Sequence, residues 1–297
     1  MDHGGPGALA REWTAADVEP VTCCVCQTFG ERLYDLPPFA VVRCPRCRLA
    51  FVSPRLRPEA LQEVYDDVGY FEGGVYGATR SLAMVLQRRW TTGRLDLIRT
   101  ALPRPEVGSR MLEVGCGYGL FLAAAAQRGY DVTGVELSRS AAAHARDVLD
   151  LPVHQGQLDA TALAGRYDVI AAWDTLEHVP DPVAFLRTAR GLLAEDGVLV
   201  FSTPYFSSLP ARLLHSRWWT LKPAEHIWHF TPHSHQLVFV RAGLAITRIL
   251  RNPLAAANIG RLDSLVGVAR RLPDLPVTPA GTVQSAPAER SRTEPTS

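Results

Sequence analysis

The residues best placed to do chemistry fall into two groups of fixed spacing. The first is Glu113-Val114-Gly115-Cys116-Gly117-Tyr118-Gly119, where three residues without a Cβ crowd one short turn after an apolar run. Such glycines let the chain turn sharply and let a ligand lie against bare backbone. Glu136 follows 21 residues after Gly115. A carboxylate at that interval, ending the next strand, can accept hydrogen bonds from both hydroxyls of a ribose. The dinucleotide pattern G-x-G-x-x-G needs a glycine at position 120, where Leu120 stands. The G-x-G-x-G spacing with Glu113 ahead of it therefore favours S-adenosylmethionine over NAD.

The second group is Cys23, Cys26, Cys44 and Cys47, spaced C-x2-C-x17-C-x2-C. Two such pairs form knuckles whose four thiolates can surround one tetrahedral zinc ion. In a small module the metal supplies much of the folding free energy. Gln27 and Arg48 follow the second cysteine of each pair, where a glycine would ease a left-handed turn. Cys24 and Cys116 remain as free thiols.

The elements that must position these groups are legible as alternating patterns. Strands are expected over 110–114, 131–136, 153–155, 167–173, 198–202 and 244–250. Helices are expected over 120–128, 138–149, 182–193 and 234–242. Strands alternating with helices of about ten residues imply βαβ crossovers and a mostly parallel, Rossmann-like α/β sheet covered on both faces. Residues 205–231 break the rhythm with an aromatic and His-rich stretch (RWWTLKPAEHIWHFT). The expected organisation is a disordered N-terminus (1–20), a zinc-ribbon-like module (21–57) and a helical connector (58–107) whose Gly-rich break at 69–77 suits a lid. An α/β core (108–252) follows, with an insertion at about 203–232, then an extension (253–271) and a disordered tail (272–297) rich in Pro, Ser and Thr.

With 31 basic and 30 acidic residues the net charge is +1, which argues against a broad nucleic-acid footprint and for a small acceptor. No apolar run is long enough to span a bilayer and the first residues are polar, so a cytoplasmic, reducing location without membrane contact is expected.

Taken in order, the two knuckles, Arg48–Pro54 (RLAFVSP), LEVGCGYG, GVELS, AAWDTLEHVPDP and EHIWHFTP resemble bacterial class I S-adenosylmethionine-dependent methyltransferases that carry an N-terminal four-cysteine segment. The resemblance runs from about Cys23 to Leu250. It implies that Glu113, Gly115, Cys116 and Gly117 contact the methionine part of the cofactor within the turn that Gly119 closes. It puts Glu136 on the ribose, Leu158 and Asp159 beside the adenine, and Trp173 and Asp174 near the methyl donor. The expected reaction is in-line methyl transfer to an oxygen or carbon of a small-molecule acceptor such as a sugar, a polyketide or a quinone-like metabolite.

His178 is a candidate base, although it could instead cap the next helix or hold a backbone carbonyl; His226 and His229 form the other candidate group, although they could instead belong to an aromatic lid packed on the sheet, with one of them held by a backbone hydrogen bond. Asp174, Glu177 and His178 are similar to the E-x-x-E-H arrangement of ubiquinone-pathway O-methyltransferases, in which a cation polarises the acceptor. Trp218, Trp219 and Trp228 could equally wall an aromatic or sugar acceptor or fill the core. Two alternatives stay open: an NAD-dependent oxidoreductase on a similar sheet, and a non-catalytic zinc-ribbon protein whose Arg43, Arg46, Arg48, Arg55 and Arg57 touch phosphate.

Overall fold

The computed structural model describes residues 12–66, 81–250 and 263–273. The Gly-rich break at 69–77, residues 1–11 and most of the expected tail lie outside the described residues.

The centre is a seven-stranded sheet built from β6 (Arg110–Val114), β7 (Asp131–Glu136), β8 (Val153–Gln155), β9 (Tyr167–Trp173), β10 (Leu193–Pro204), β12 (Leu244–Leu250) and β13 (Ser264–Arg271). Its order is β12-β13-β10-β9-β6-β7-β8. Strands β8, β7, β6, β9 and β10 pair in parallel. The near-continuous burial of β6, β9 and the second half of β10 explains why these strands read as apolar runs rather than alternating ones. From β6 the chain proceeds to one side through β7 and β8, then returns to the other side through β9 and β10. The crevice between the ends of β6 and β9 is thus the topological switch point where open α/β sheets bind ligands.

The helices start where the sequence can cap them. The α1 (Pro58–Asp66) and α2 (Ser81–Ala101) helices precede the sheet, and α3 (Leu120–Gln127), α4 (Arg139–Asp147), α5 (Pro182–Leu192), α6 (Leu209–Leu214) and α7 (Pro232–Arg241) follow. Ser138 caps α4, and Asp181 caps α5 by accepting from Val183 and Ala184 N–H at 2.9 and 3.0 Å. Thr231 and Ser234 form a reciprocal capping box on α7. These caps satisfy amides that a helix start leaves orphaned.

Three expected boundaries are corrected. The core does not end at 252: β13, within the expected extension, lies antiparallel between β10 and β12 and is buried over most of its length. Its pairing partners are distant in sequence, so no local pattern announced it. The N-terminal stretch up to 20 is not wholly irregular, because β1 (Val18–Glu19) pairs with β5 (Arg55–Leu56).

The cysteine segment is not a separate module either. Its strands β2 (Glu31–Leu36), β3 (Phe39–Arg43) and β4 (Ala50–Val52) continue into β11 (Trp228–His229), which comes from the insertion. Cys23, Cys44, Leu49 and Phe51 share one hydrophobic core with Ile227, Trp228 and the α5 face of the main sheet.

Candidate active site

The glycine turn leaves β6 and enters α3 with all three glycines in the left-handed region, at φ 74, 53 and 80 degrees for Gly115, Gly117 and Gly119. Side chains there would be strained, and they would also collide. A Cβ on Gly115 would meet Thr175 Oγ1 at 2.7 Å, and one on Gly119 would meet Leu151 Cδ1 at 2.7 Å. The turn is tied to β7, since Gly115 and Cys116 N–H both donate to the Val135 carbonyl.

Glu136 is held by two backbone donors: Gly117 N–H at 2.8 Å and Ser138 N–H at 2.7 Å. Burial raises its pKa while these donors pull it back. A carboxylate has about four acceptor sites, so two further donors can still be accommodated. Glu113, just below the turn, is 3% exposed and its Oε2 has no partner among the described residues. Burial raises Glu113 well above the usual carboxylate range, against the pull of the nearby Arg94 cation.

Arg94 escaped the sequence reading because it lies in the expected connector, far from any motif. From α2 it stacks its guanidinium over the Trp173 ring at 4.5 Å and pairs with Asp174 Oδ2 at 3.3 Å. Asp174 sits just past β9 with φ 49 degrees, and its Oδ1 accepts from Ser202 Oγ at 2.9 Å. Trp173 is buried and its Nε1 has no partner among the described residues. Thr175, also unforeseen, donates to the Val114 carbonyl and fastens the end of β9 to the start of the glycine turn. Of the two expected adenine neighbours, Leu158 is partly buried and packs on the main core. Asp159 is exposed and closes a local turn by accepting from Thr161 N–H and Oγ1.

Beyond β9 the residues expected on the acceptor side converge. His178 and His226 stand edge to face with ring centroids 4.7 Å apart. Their ligand atoms and one carboxylate oxygen of Glu177 lie within 4.8 Å of one another. Both Glu177 oxygens are buried without a partner among the described residues, and burial, then Asp174, raises the carboxyl well above its usual range. Burial lowers His178 to about 4 and holds His226 well below its ordinary value. The expected triad of Asp174, Glu177 and His178 is therefore changed: His226 stands with Glu177 and His178, while Asp174 is engaged by Arg94 and Ser202. Backbone bonds fix this group, with Ile227 and Trp228 N–H both donating to the Glu177 carbonyl and Trp228 Nε1 donating to the Val179 carbonyl. His229 is buried and stacks on Phe206, and Trp219 is half exposed.

The four cysteines come together: Cys23, Cys26, Cys44 and Cys47 offer sulfurs within 4.8 Å of one another. The knuckles are near copies. In each, an amide four residues on returns to the first cysteine carbonyl (Gln27 to Cys23, Arg48 to Cys44), and the first cysteine amide reaches the carbonyl five residues on. Gln27 and Arg48 adopt φ 54 and 64 degrees, so the left-handed turn is made without glycine, at a cost of roughly 1–2 kcal/mol each.

Residues 85–249 match a family described as methyltransferase domain. The chain is 33% identical over 208 residues to a ubiquinone biosynthesis O-methyltransferase of Ralstonia nicotianae, covering 62% of this chain and 84% of that one. It is 40% identical over 105 residues to the enzyme of that name from Psychrobacter arcticus, covering 32% of this chain and 41% of that one. The chain thus spans about two fifths of the length of that relative. Among solved structures, the magnesium protoporphyrin IX methyltransferase of Synechocystis with bound S-adenosylhomocysteine shares the fold at TM-score 0.51 and 17% identity, over 72% of this chain and 100% of that one. The chain belongs to the S-adenosylmethionine-dependent methyltransferase family. No helix among the described residues is long and apolar enough to cross a membrane.

Proposed function

We propose that this protein transfers a methyl group from S-adenosylmethionine to a hydroxyl of a small-molecule acceptor. The observation that carries the reading is the glycine cradle closed by Glu136, with an unpartnered oxygen of Glu113 buried beneath it. That site fits the cofactor. Bare backbone at Gly115 and Gly117 admits the methionine portion, Glu113 faces its ammonium charge, and Glu136 takes the ribose hydroxyls. Leu158 and Asp159 border the adenine. When bound, the sulfonium supplies an already activated methyl group. The chain's task is then to align the acceptor oxygen and exclude water, an effect of about 7–11 kcal/mol in well-oriented pairs. Trp173, Asp174 and Arg94 shape the junction between donor and acceptor.

His226, buried, and His178, half-buried beside it, both have pKa values lowered by desolvation and can receive the acceptor proton as neutral bases; a positioned base contributes roughly 100- to 10,000-fold. Relatives named ubiquinone biosynthesis O-methyltransferase support a hydroxyl on a quinone-like ring over the sugar and polyketide alternatives.

A second reading rests on the two orphaned oxygens of Glu177 beside the two imidazoles. A buried carboxylate without a donor is costly, and one carboxylate with two histidines suits a divalent transition ion. Such an ion would polarise the acceptor oxygen. The four-cysteine cluster fits a structural zinc ion, with four sulfurs brought together and three of the four cysteines buried.

Calorimetric titration with S-adenosylhomocysteine tests the central claim. The wild type should bind, and Gly117→Arg should fill the cradle and abolish binding while the thermal melt persists; equal binding by both overturns it. For the acceptor, a simple catechol incubated with S-adenosylmethionine should yield a methyl ether and S-adenosylhomocysteine. Added manganese that raises this turnover in the wild type but not in His178→Ala would favour the metal-assisted form.

A further inference from the structure

The acceptor-side histidine His226 is anchored from outside its own loop. Its Nδ1 lies 2.6 Å from the Thr220 carbonyl oxygen. A carbonyl only accepts, so Nδ1 must carry the proton, and a neutral ring then has its lone pair on Nε2. What places that carbonyl is a carboxylate far along the chain. Asp263, 3% exposed at the root of β13, accepts from Thr220 Oγ1 at 2.8 Å and from Trp218 Nε1 at 3.0 Å. Its backbone carbonyl also accepts from Tyr205 N–H at 2.7 Å. The loop that presents His226 is thereby pinned at two points to the residue just ahead of β13, a strand buried in the main sheet, and the third bond ties that residue to the end of β10.

We propose that Asp263 and Thr220 are positioning residues that hold His226 in the Nδ1–H tautomer, leaving Nε2 as the nitrogen offered beside His178 and Glu177. This rests on the acceptor-side role given to His226 above. The physical reason is that a buried carboxylate strongly favours keeping its donors, so Asp263 fixes the Thr220 main chain. A fixed carbonyl in turn selects one of two nearly isoenergetic imidazole tautomers. Whether Nε2 takes a proton or binds an ion, the same nitrogen is required. Groups of this orienting kind typically change activity or metal affinity by roughly 10- to 100-fold when removed.

The test is long-range proton–nitrogen NMR on the full chain with 15N-labelled histidine, the His226 signal being assigned by its loss in His226→Gln. The wild type should show the wide nitrogen shift separation of a pure Nδ1–H tautomer. Thr220→Val, which removes the hydroxyl but keeps the carbonyl, should narrow that separation, and Asp263→Ala should narrow it further. Asp263→Asn, retaining one acceptor oxygen, should restore part of it. A wild-type His226 with the proton on Nε2, or an unchanged tautomer in both Thr220→Val and Asp263→Ala, overturns the proposal. Should Asp263→Ala not fold, Thr220→Val alone decides. S-adenosylhomocysteine affinity, measured in parallel, should stay at the wild-type value in every folded variant. Loss of it in the wild type itself would count against the proposed function and not against the tautomer clamp.

Discussion

The proposed cofactor side and the proposed acceptor side of this molecule are built on opposite plans. The cradle is local: Glu113 to Gly119 form one turn, and Glu136 ends the adjacent strand and bonds directly to Gly117. The acceptor side is assembled from pieces remote in the chain. His178 follows β9, His226 comes from the insertion, β11 docks on β4 of the cysteine segment, and Asp263 arrives from the last strand. A local site is protected by backbone geometry, so few distant changes should reach it. An assembled site depends on long-range packing, so many changes far from His226 should disturb it.

The sharpest way to break that contrast is Trp228→Ala. Trp228 is 2% exposed, packs its ring 5.5 Å from Phe51 and anchors β11 through Val179. Its truncation should cost about 3–5 kcal/mol in denaturant unfolding. S-adenosylhomocysteine affinity of the folded fraction should be unchanged; an affinity that falls in step with stability would show that the two sides are not independent. The converse experiment is Gly119→Val, which adds a β-branched side chain at φ 80 degrees against Leu151. Strain of this kind costs on the order of 1–3 kcal/mol, and here the titration should lose cofactor binding.

Acid should act on the assembled half. His235, on α7 behind the acceptor side, is fully buried between Phe230 and Phe239, and burial lowers its pKa to about 3. The folded protein therefore keeps it neutral while the unfolded chain protonates near pH 6.5. Stability from this group is complete above that pH and falls as pH drops below it, by roughly 1.4 kcal/mol per pH unit. His235→Phe should flatten the acid side of a stability–pH profile; an unaltered slope would assign the sensitivity elsewhere.

The smallest effect is expected at the knuckles. Arg48→Gly relieves a left-handed residue at φ 64 degrees and should stabilise the metal-loaded protein by up to about 1 kcal/mol, read as a higher melting midpoint, once the extra freedom of glycine in the unfolded chain is subtracted. Chelation should erase the gain, because the turn matters only while the cysteines are held together.

Much of this was readable in advance, and for definite reasons. Glycines at 115, 117 and 119, the carboxylates Glu113 and Glu136, and the cysteine pairs depend on near neighbours and on backbone geometry that residue type dictates, so spacing alone showed that they come together. The βαβ rhythm was likewise local, since each strand and helix carries its own period and caps. Tertiary structure decided what depends on partners distant in the chain. It put β13 between β10 and β12, brought Arg94 over Trp173, and replaced Asp174 by His226 beside Glu177 and His178. It also joined the cysteine segment to the main fold through β11 and set Asp263 behind the His226 loop. Such contacts leave no periodic trace, because a salt bridge or a buried hydrogen bond needs only two suitable groups at one point in space.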